Sequence, residues 1–233
     1  MTTLLTRAFL EPHVQAVINQ LYTDTLVYDP LVRRDARRAG LTNDGQAGFY
    51  AAMRSARMPV TPDFGAALYI LARAGMVRTA IEFGTSFGVS TIFLAAAIKA
   101  NGGGRLVTTE YLPDKIAAAR SNVVAAGLDG LVEIRIGDAR ATLATSLPPS
   151  VDLLLLDADK SSYLDILRLV EPVLRPGALV IGDRSDPDGD ANQRDAGFLD
   201  YLSVPANGYV SASIATRALG HFHSHEIAIR LAT

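Results

Sequence analysis

From about residue 76 onward, short apolar runs alternate with segments whose apolar positions recur at helical spacing. The runs VRTAIEF (77–83), RLVTTE (105–110), LVEIRI (131–136), VDLLLLD (151–157) and ALVIGD (178–183) read as strands. Most are apolar at successive positions, which is the pattern of strands covered on both faces. Between them, GVSTIFLAAAIKA, PDKIAAARSNVVAAG and YLDILRLVEPVL carry the helical period, with Gly127 and the pair Pro176-Gly177 as stop signals. This rhythm predicts an α/β fold, a mostly parallel sheet with helices on both faces.

Near the C-terminal end, GYVSASIAT (208–216) and GHFHSHEIAIRL (220–231) flank a short turn, which predicts an antiparallel hairpin closing one edge of the sheet. Ahead of the alternation, Val14, Val17, Ile18, Leu21 and Tyr28 stand at helical spacing. Residues 1–60 are therefore expected to form a helical N-terminal cap on a main domain at 61–233. NGGG (101–104) reads as a turn, and no repeat or low-complexity segment interrupts the pattern.

With 233 residues, 49% hydrophobic and 20% charged, the chain suits one large domain with decoration. A formal charge of -2 gives no general positive field for nucleic acid, so a small molecule is the expected partner. The absence of cysteine removes disulfides, thiolate metal sites and cysteine nucleophiles together. No apolar run approaches the roughly 18 residues of a membrane helix, and the first residues have too short an apolar core for a signal peptide. A soluble, cytoplasmic protein is the expectation.

Ligands of open parallel sheets bind beyond the C-terminal strand ends, and this chain places Glu82, Glu110, Asp138, Asp157, Asp159 and Asp183 there. In EFGTSFGVS, Gly84 and Gly88 bracket a tight turn and Ser90 opens a helix, so the backbone can approach a ligand closely. The glycine spacing is not the dinucleotide one. Glu82, two residues before Gly84, would repel a pyrophosphate and attract an ammonium; a plain strand-to-helix turn is the bland alternative. Glu110 ends the second strand, where an acid can accept both hydroxyls of a ribose. Asp138, in GDA (137–139), suits either an adenine contact or a helix N-cap.

Taken in order, EFGTSFGVS, TTEYLPDK, GDA, LLLLDADKSSY and ALVIGD resemble the S-adenosylmethionine-dependent O-methyltransferases of the catechol and caffeoyl-CoA type. The resemblance covers roughly residues 58 to 231, including MPVTPDFG ahead of the first strand. It implies a Rossmann-like class I methyltransferase with a mostly parallel seven-stranded sheet, usually a homodimer, acting on a small-molecule hydroxyl. Cofactor contacts then fall on Val60, Glu82, Gly84, Thr85, Ser90, Glu110, Ala139 and Asp157, with Asp138 beside them. An acidic rim also suits a sulfonium nucleoside, and no phosphate-binding lysine precedes the first helix.

One position departs from the family. Its metal, magnesium or calcium, is held by three oxygen ligands, two of which map onto Asp157 and Asp183; the third is an asparagine where this chain has Arg184. Arginine has donors only and does not deprotonate, so it cannot ligate a cation. The favoured expectation is that Arg184 turns inward and bridges Asp157 and Asp183 in place of the ion, making a divalent metal doubtful. The alternative is that it points to solvent while the two aspartates, with water or Asp186 or Asp188, hold a metal weakly. Following the family, Lys160 is the expected base, acting with Asp157 and Arg184 on an acidic acceptor such as a phenol or enol; a surface ion pair with Asp159 is its other account.

His221, His223 and His225 alternate along one strand, a zinc- or nickel-competent spacing whose plainer account is a solvent-facing edge. VRRDARR (32–38) could meet an acidic acceptor such as a coenzyme A ester, or a neighbouring chain, although a solvated helix face is the plainer account. Tyr163 reads as packing under the sheet. Besides methyl transfer, two functions compete: a cofactor-binding sensor or scaffold that has lost turnover, and a nicotinamide dehydrogenase, which the glycine spacing and Glu82 disfavour. No motif identifies the acceptor, whose pocket residues 184–195 are expected to border.

Overall fold

Two apolar layers lie on opposite faces of one seven-stranded sheet in the computed structural model, which describes residues 10–41, 47–184, 195–218 and 221–232. The strands are β1 (Thr79–Phe83), β2 (Arg105–Glu110), β3 (Val132–Ile136), β4 (Val151–Leu156), β5 (Leu174–Asp183), β6 (Tyr209–Ala218) and β7 (His221–Arg230), in the order β3-β2-β1-β4-β5-β7-β6. The first five are parallel; β7 runs antiparallel to β5, and β6 antiparallel to β7. Strand order reverses between β1 and β4, so their C-terminal ends flank the crevice where such sheets bind ligands.

Successive residues serve opposite faces, as the strand period of two requires. Ala80, Leu106, Leu153, Leu155 and Ile181 pack with α1 (Pro12–Arg38), α3 (Pro62–Ala74), α4 (Val89–Ala100) and α5 (Pro113–Ala125). Ile81, Val107, Leu154, Leu156 and Val180 pack with α6 (Ala139–Leu143), α7 (Tyr163–Val170) and α8 (Ala196–Ser203). The short α2 (Ala47–Ala52) contributes Phe49 to a small satellite core with Ala36, Met53 and Ala56. Val14, Ile18, Leu21 and Tyr22 of α1 belong to the main core, so this helix lies directly against α4 and α5.

One stop signal acts earlier than the pattern predicts. Pro172 lacks an N–H and disfavours helix at the residue before it, so α7 ends at Val170 and a 3₁₀ turn, Glu171–Val173, leads straight into β5. Pro176 and Gly177 consequently lie inside β5, where the register with β4 jumps from Val151↔Leu174 to Leu153↔Leu179. The bulge accommodates the missing donor and the φ of +80° at Gly177. No helix among the described residues is long and apolar enough to cross a membrane.

Candidate active site

A cavity of about 1320 Å³ opens over the C-terminal ends of β1, β2, β4 and β5, walled by one face of α1 and by the segment 57–62 ahead of α3. Thr61 caps α3 by accepting from the Phe64 N–H, with Pro62 at the first helical position, which sets Val60 on the cavity wall. Gly84 has φ +110°, and a Cβ there would stand 2.3 Å from the Asp157 carbonyl oxygen, so the β1–α4 loop crosses the end of β4 at backbone contact. The loop is pinned further on: Ser86 donates its N–H to Glu110 Oε2 at 2.9 Å and its hydroxyl to the Arg57 carbonyl at 2.7 Å.

Glu110 also accepts the N–H groups of Tyr111 and Leu112 through Oε1, at 2.8 and 2.9 Å. Three backbone donors therefore fix its carboxylate at the wall while leaving part of its acceptor capacity open. Asp138 is the N-cap of α6, accepting from the Arg140 N–H and pairing with its guanidinium; it and Ala139 line the cavity beside Thr85 and Ser90.

Glu82 stands elsewhere than expected. It is fully buried between β1, β2 and α4, outside the cavity lining, with Oε2 accepting from Thr91 at 2.5 Å and Thr108 at 2.6 Å. Burial pushes its carboxyl above the usual range, against the pull of hydroxyls that include Ser90. Its route to the cavity therefore runs through Ser90, which does line it.

Asp157, Asp183 and Lys160 come together on the cavity floor, at the ends of β4 and β5. Burial first, and then the Asp183 charge, pushes Asp157 well above the ordinary carboxylate range; the Lys160 ammonium acts in the opposite sense. Lys160 is buried beside the Tyr163 ring, 5.8 Å from its centroid, rather than on the surface. Tyr163 packs under the sheet as expected, donating its hydroxyl to the Asp183 carbonyl at 2.6 Å.

Arg184 meets neither expectation. Among the described residues the buried side chain neither lines the cavity nor bridges the aspartates; Nε pairs with fully buried Asp195 at 2.5 Å and Nη1 donates to Ser224 Oγ at 3.4 Å. The residue beside Asp183 is instead His225. The two are register partners across β5 and β7, with Nδ1 3.0 Å from Asp183 Oδ1 though outside hydrogen-bond direction. The ring stacks on Phe64 with centroids 3.5 Å apart, and Nε2 hydrogen-bonds with Thr216 Oγ1 at 2.8 Å. The solvent-edge reading fails for His225 because β6 makes β7 an interior strand and Phe64 of α3 covers the face on which the ring lies. His223 lines the cavity; the His221 side chain, and Asp186 and Asp188, lie outside the described residues.

The site departs from a three-oxygen metal site. Asp157 and Asp183 could supply two ligands, the third position is a donor-only side chain committed to Asp195, and no group of three acidic, histidine or cysteine side chains among the described residues could hold an ion. Sequence reasoning also passed over Lys115 and Arg57. Lys115 sits in the first turn after Glu110, donates to Ser86 Oγ at 3.1 Å, and has its pKa lowered by burial against the opposing charges of Glu110, Asp29 and Asp157. Arg57 pairs with Asp24 and faces the rings of Tyr28 and Phe87.

A doubly covered sheet whose order reverses under a pocket, with a pinned acid at the end of β2, is the arrangement of nucleoside-binding α/β proteins. A methyltransferase domain model matches residues 81–184. A catechol O-methyltransferase of Niastella koreensis is 34% identical over 175 residues, 74% of each chain; one of Mycobacterium tuberculosis is 37% identical over 127 residues, 54% of this chain and 57% of that protein. The O-methyltransferase TomG of Streptomyces achromogenes, solved with S-adenosylmethionine, superposes with a TM-score of 0.70 at 25% identity, covering 97% of this chain and 93% of that one. A Bacillus cereus O-methyltransferase, solved with S-adenosylhomocysteine, shares the fold at TM-score 0.71 and 22% identity, over 92% and 90%. This chain belongs to the S-adenosylmethionine-dependent O-methyltransferases.

Proposed function

We propose that this enzyme methylates a hydroxyl of a small molecule, a phenol or enol, without a resident divalent metal. The observation that carries the reading is the withdrawal of Arg184 to Asp195 while Asp157 and Lys160 stay on the cavity floor. The cofactor supplies an electrophilic methyl group on a sulfonium. Glu110 holds its ribose, the Gly84–Ser86 loop and Ser90 hold its amino-acid end, and Ala139 with Asp138 borders the base. Lys160 takes the proton of the acceptor hydroxyl, which the floor holds in line with the methyl group. Residues 1–60 act as a cap over this pocket, and a cytoplasmic homodimer completes the proposal.

Transfer of a labelled methyl group to catechol, with and without chelator, tests it. Turnover should survive chelation, and Lys160→Ala should lower kcat by about 10²–10⁴-fold while S-adenosylhomocysteine binds as before. Turnover restored only by magnesium would refute metal independence. Tight cofactor binding without transfer to any of a panel of phenols and enols would favour the sensor.

A further inference from the structure

Lys115 is a buried cation on the cavity wall with no part in the transfer step. It stands in the first turn of α5 and lines the cavity, yet it is only 6% exposed. A charged lysine brings three N–H donors, and a neutral one still keeps two. One donor goes to Ser86 Oγ at 3.1 Å, its only hydrogen bond among the described residues, while the Phe87 ring centroid lies 5.9 Å from Nζ. A single hydroxyl is a poor replacement for the water that burial removes. At least one N–H is therefore left for whatever fills the cavity.

The position of the amine narrows what that is. Of the acids whose charges act on it, Glu110 acts more strongly than Asp29 or Asp157, so Lys115 belongs with the end of β2 rather than with the reaction floor. Asp29 is already held, accepting the N–H groups of Arg57 and Met58 at 2.8 Å each. Glu110 and Lys115 meet on one residue: Ser86 gives its N–H to Glu110 Oε2 at 2.9 Å, and its hydroxyl, donating to the Arg57 carbonyl, receives Lys115. The β1–α4 loop thus fixes an acceptor and a donor on the same stretch of wall.

A ribose edge calls for both. Each of its hydroxyls donates one proton and also accepts, whereas a carboxylate only accepts. With Glu110 taking the hydroxyl protons, the hydroxyl oxygens still need donors, and the backbone N–H groups of Ser86, Tyr111 and Leu112 are committed to the carboxylate itself.

We infer that Lys115 is a second ribose ligand for the nucleoside cofactor, with Nζ–H donating to the oxygen of a ribose hydroxyl whose own proton goes to Glu110. The inference rests on the methyltransferase reading and on Glu110 as the ribose acid, and adds the donor that completes the hydroxyl's bonding.

The test is calorimetry with S-adenosylhomocysteine and its 2′-deoxy and 3′-deoxy analogues on the unaltered protein, Lys115→Met, Lys115→Gln and Glu110→Gln. The unaltered protein should bind S-adenosylhomocysteine at least about tenfold tighter than one of the analogues. Lys115→Met should weaken S-adenosylhomocysteine about tenfold but that analogue about twofold or less, and the retained analogue affinity shows that the variant is folded. Lys115→Gln keeps an N–H donor and should lose less discrimination than Lys115→Met; should the methionine variant not fold, a smaller loss confined to the hydroxyl-bearing nucleoside in Lys115→Gln supports the inference in its place. Equal losses for S-adenosylhomocysteine and both analogues would mean that Lys115 merely holds Ser86, and would overturn the inference. Discrimination lost in Glu110→Gln but intact in both Lys115 variants would overturn it alone. No discrimination in the unaltered protein would overturn it together with the ribose role of Glu110, and failure of S-adenosylhomocysteine to bind would overturn the methyltransferase reading beneath both.

Discussion

Arg184 shows how a single side chain's role is set by its partner. Its chemistry, donors without an acceptor, was legible from its identity and excluded it as a metal ligand. Its partner was not legible: Asp195 lies eleven residues on, beyond a polar stretch whose course the local pattern does not fix. A buried pair of this kind is costly to break from one side, because the remaining charge is left without compensation. Arg184→Asn is therefore expected to destabilise the protein by about 3–5 kcal/mol in denaturant unfolding. Adding Asp195→Asn should recover much of that loss; a single variant as stable as the parent would show that the pair contributes little. An asparagine at 184 is thus not by itself a clean restoration of the family's metal site.

At the scale of elements, α3 and α4 are held together by the absence of a side chain. Gly65 is buried, and a Cβ there would approach the Phe93 ring to 2.3 Å. Ala favours helix over Gly by about 1 kcal/mol, whereas forcing extra volume into a well-packed contact costs about 1–3 kcal/mol. Phe93 has no exposed space to retreat into, so the packing cost should win. Gly65→Ala is expected to lower the melting temperature, and Phe93→Leu in the same chain to restore part of it. A rise in melting temperature from Gly65→Ala alone would mean that the interface yields more easily than its burial suggests. The helices and strands themselves were legible because their periods are local; the bulge in β5 was not, because it reflects how Pro176 is accommodated against β4.

Across the whole molecule, the N-terminal helix shares its apolar contacts with the sheet, through Val14, Ile18, Leu21 and Tyr22. Folding of α1 and the sheet should therefore be cooperative, with one transition in a calorimetric scan. S-adenosylhomocysteine at about 100 times its dissociation constant should stabilise the native state by about 2.7 kcal/mol and move that transition upward as a unit. A separate early transition that ignores the ligand would instead mark the N-terminal segment as an independent body. The same packing sets the arginines of α1 along the cavity rim, where Arg34, Arg37 and Arg38 stay exposed to solvent as the sequence reading expects.

The sequence by itself determined the doubly covered sheet, the hairpin and the acids at the strand ends, because strand period, helix period and glycine turns are local properties of the chain. It also determined that Arg184 cannot bind a cation. Only the tertiary structure decided that Glu82 lies outside the cavity lining, that Arg184 belongs to Asp195, and that His225 stands beside Asp183. Each depends on which distant segments become neighbours: residues 183 and 225 meet because β7 inserts between β5 and β6, an arrangement set by burying both sheet faces at once.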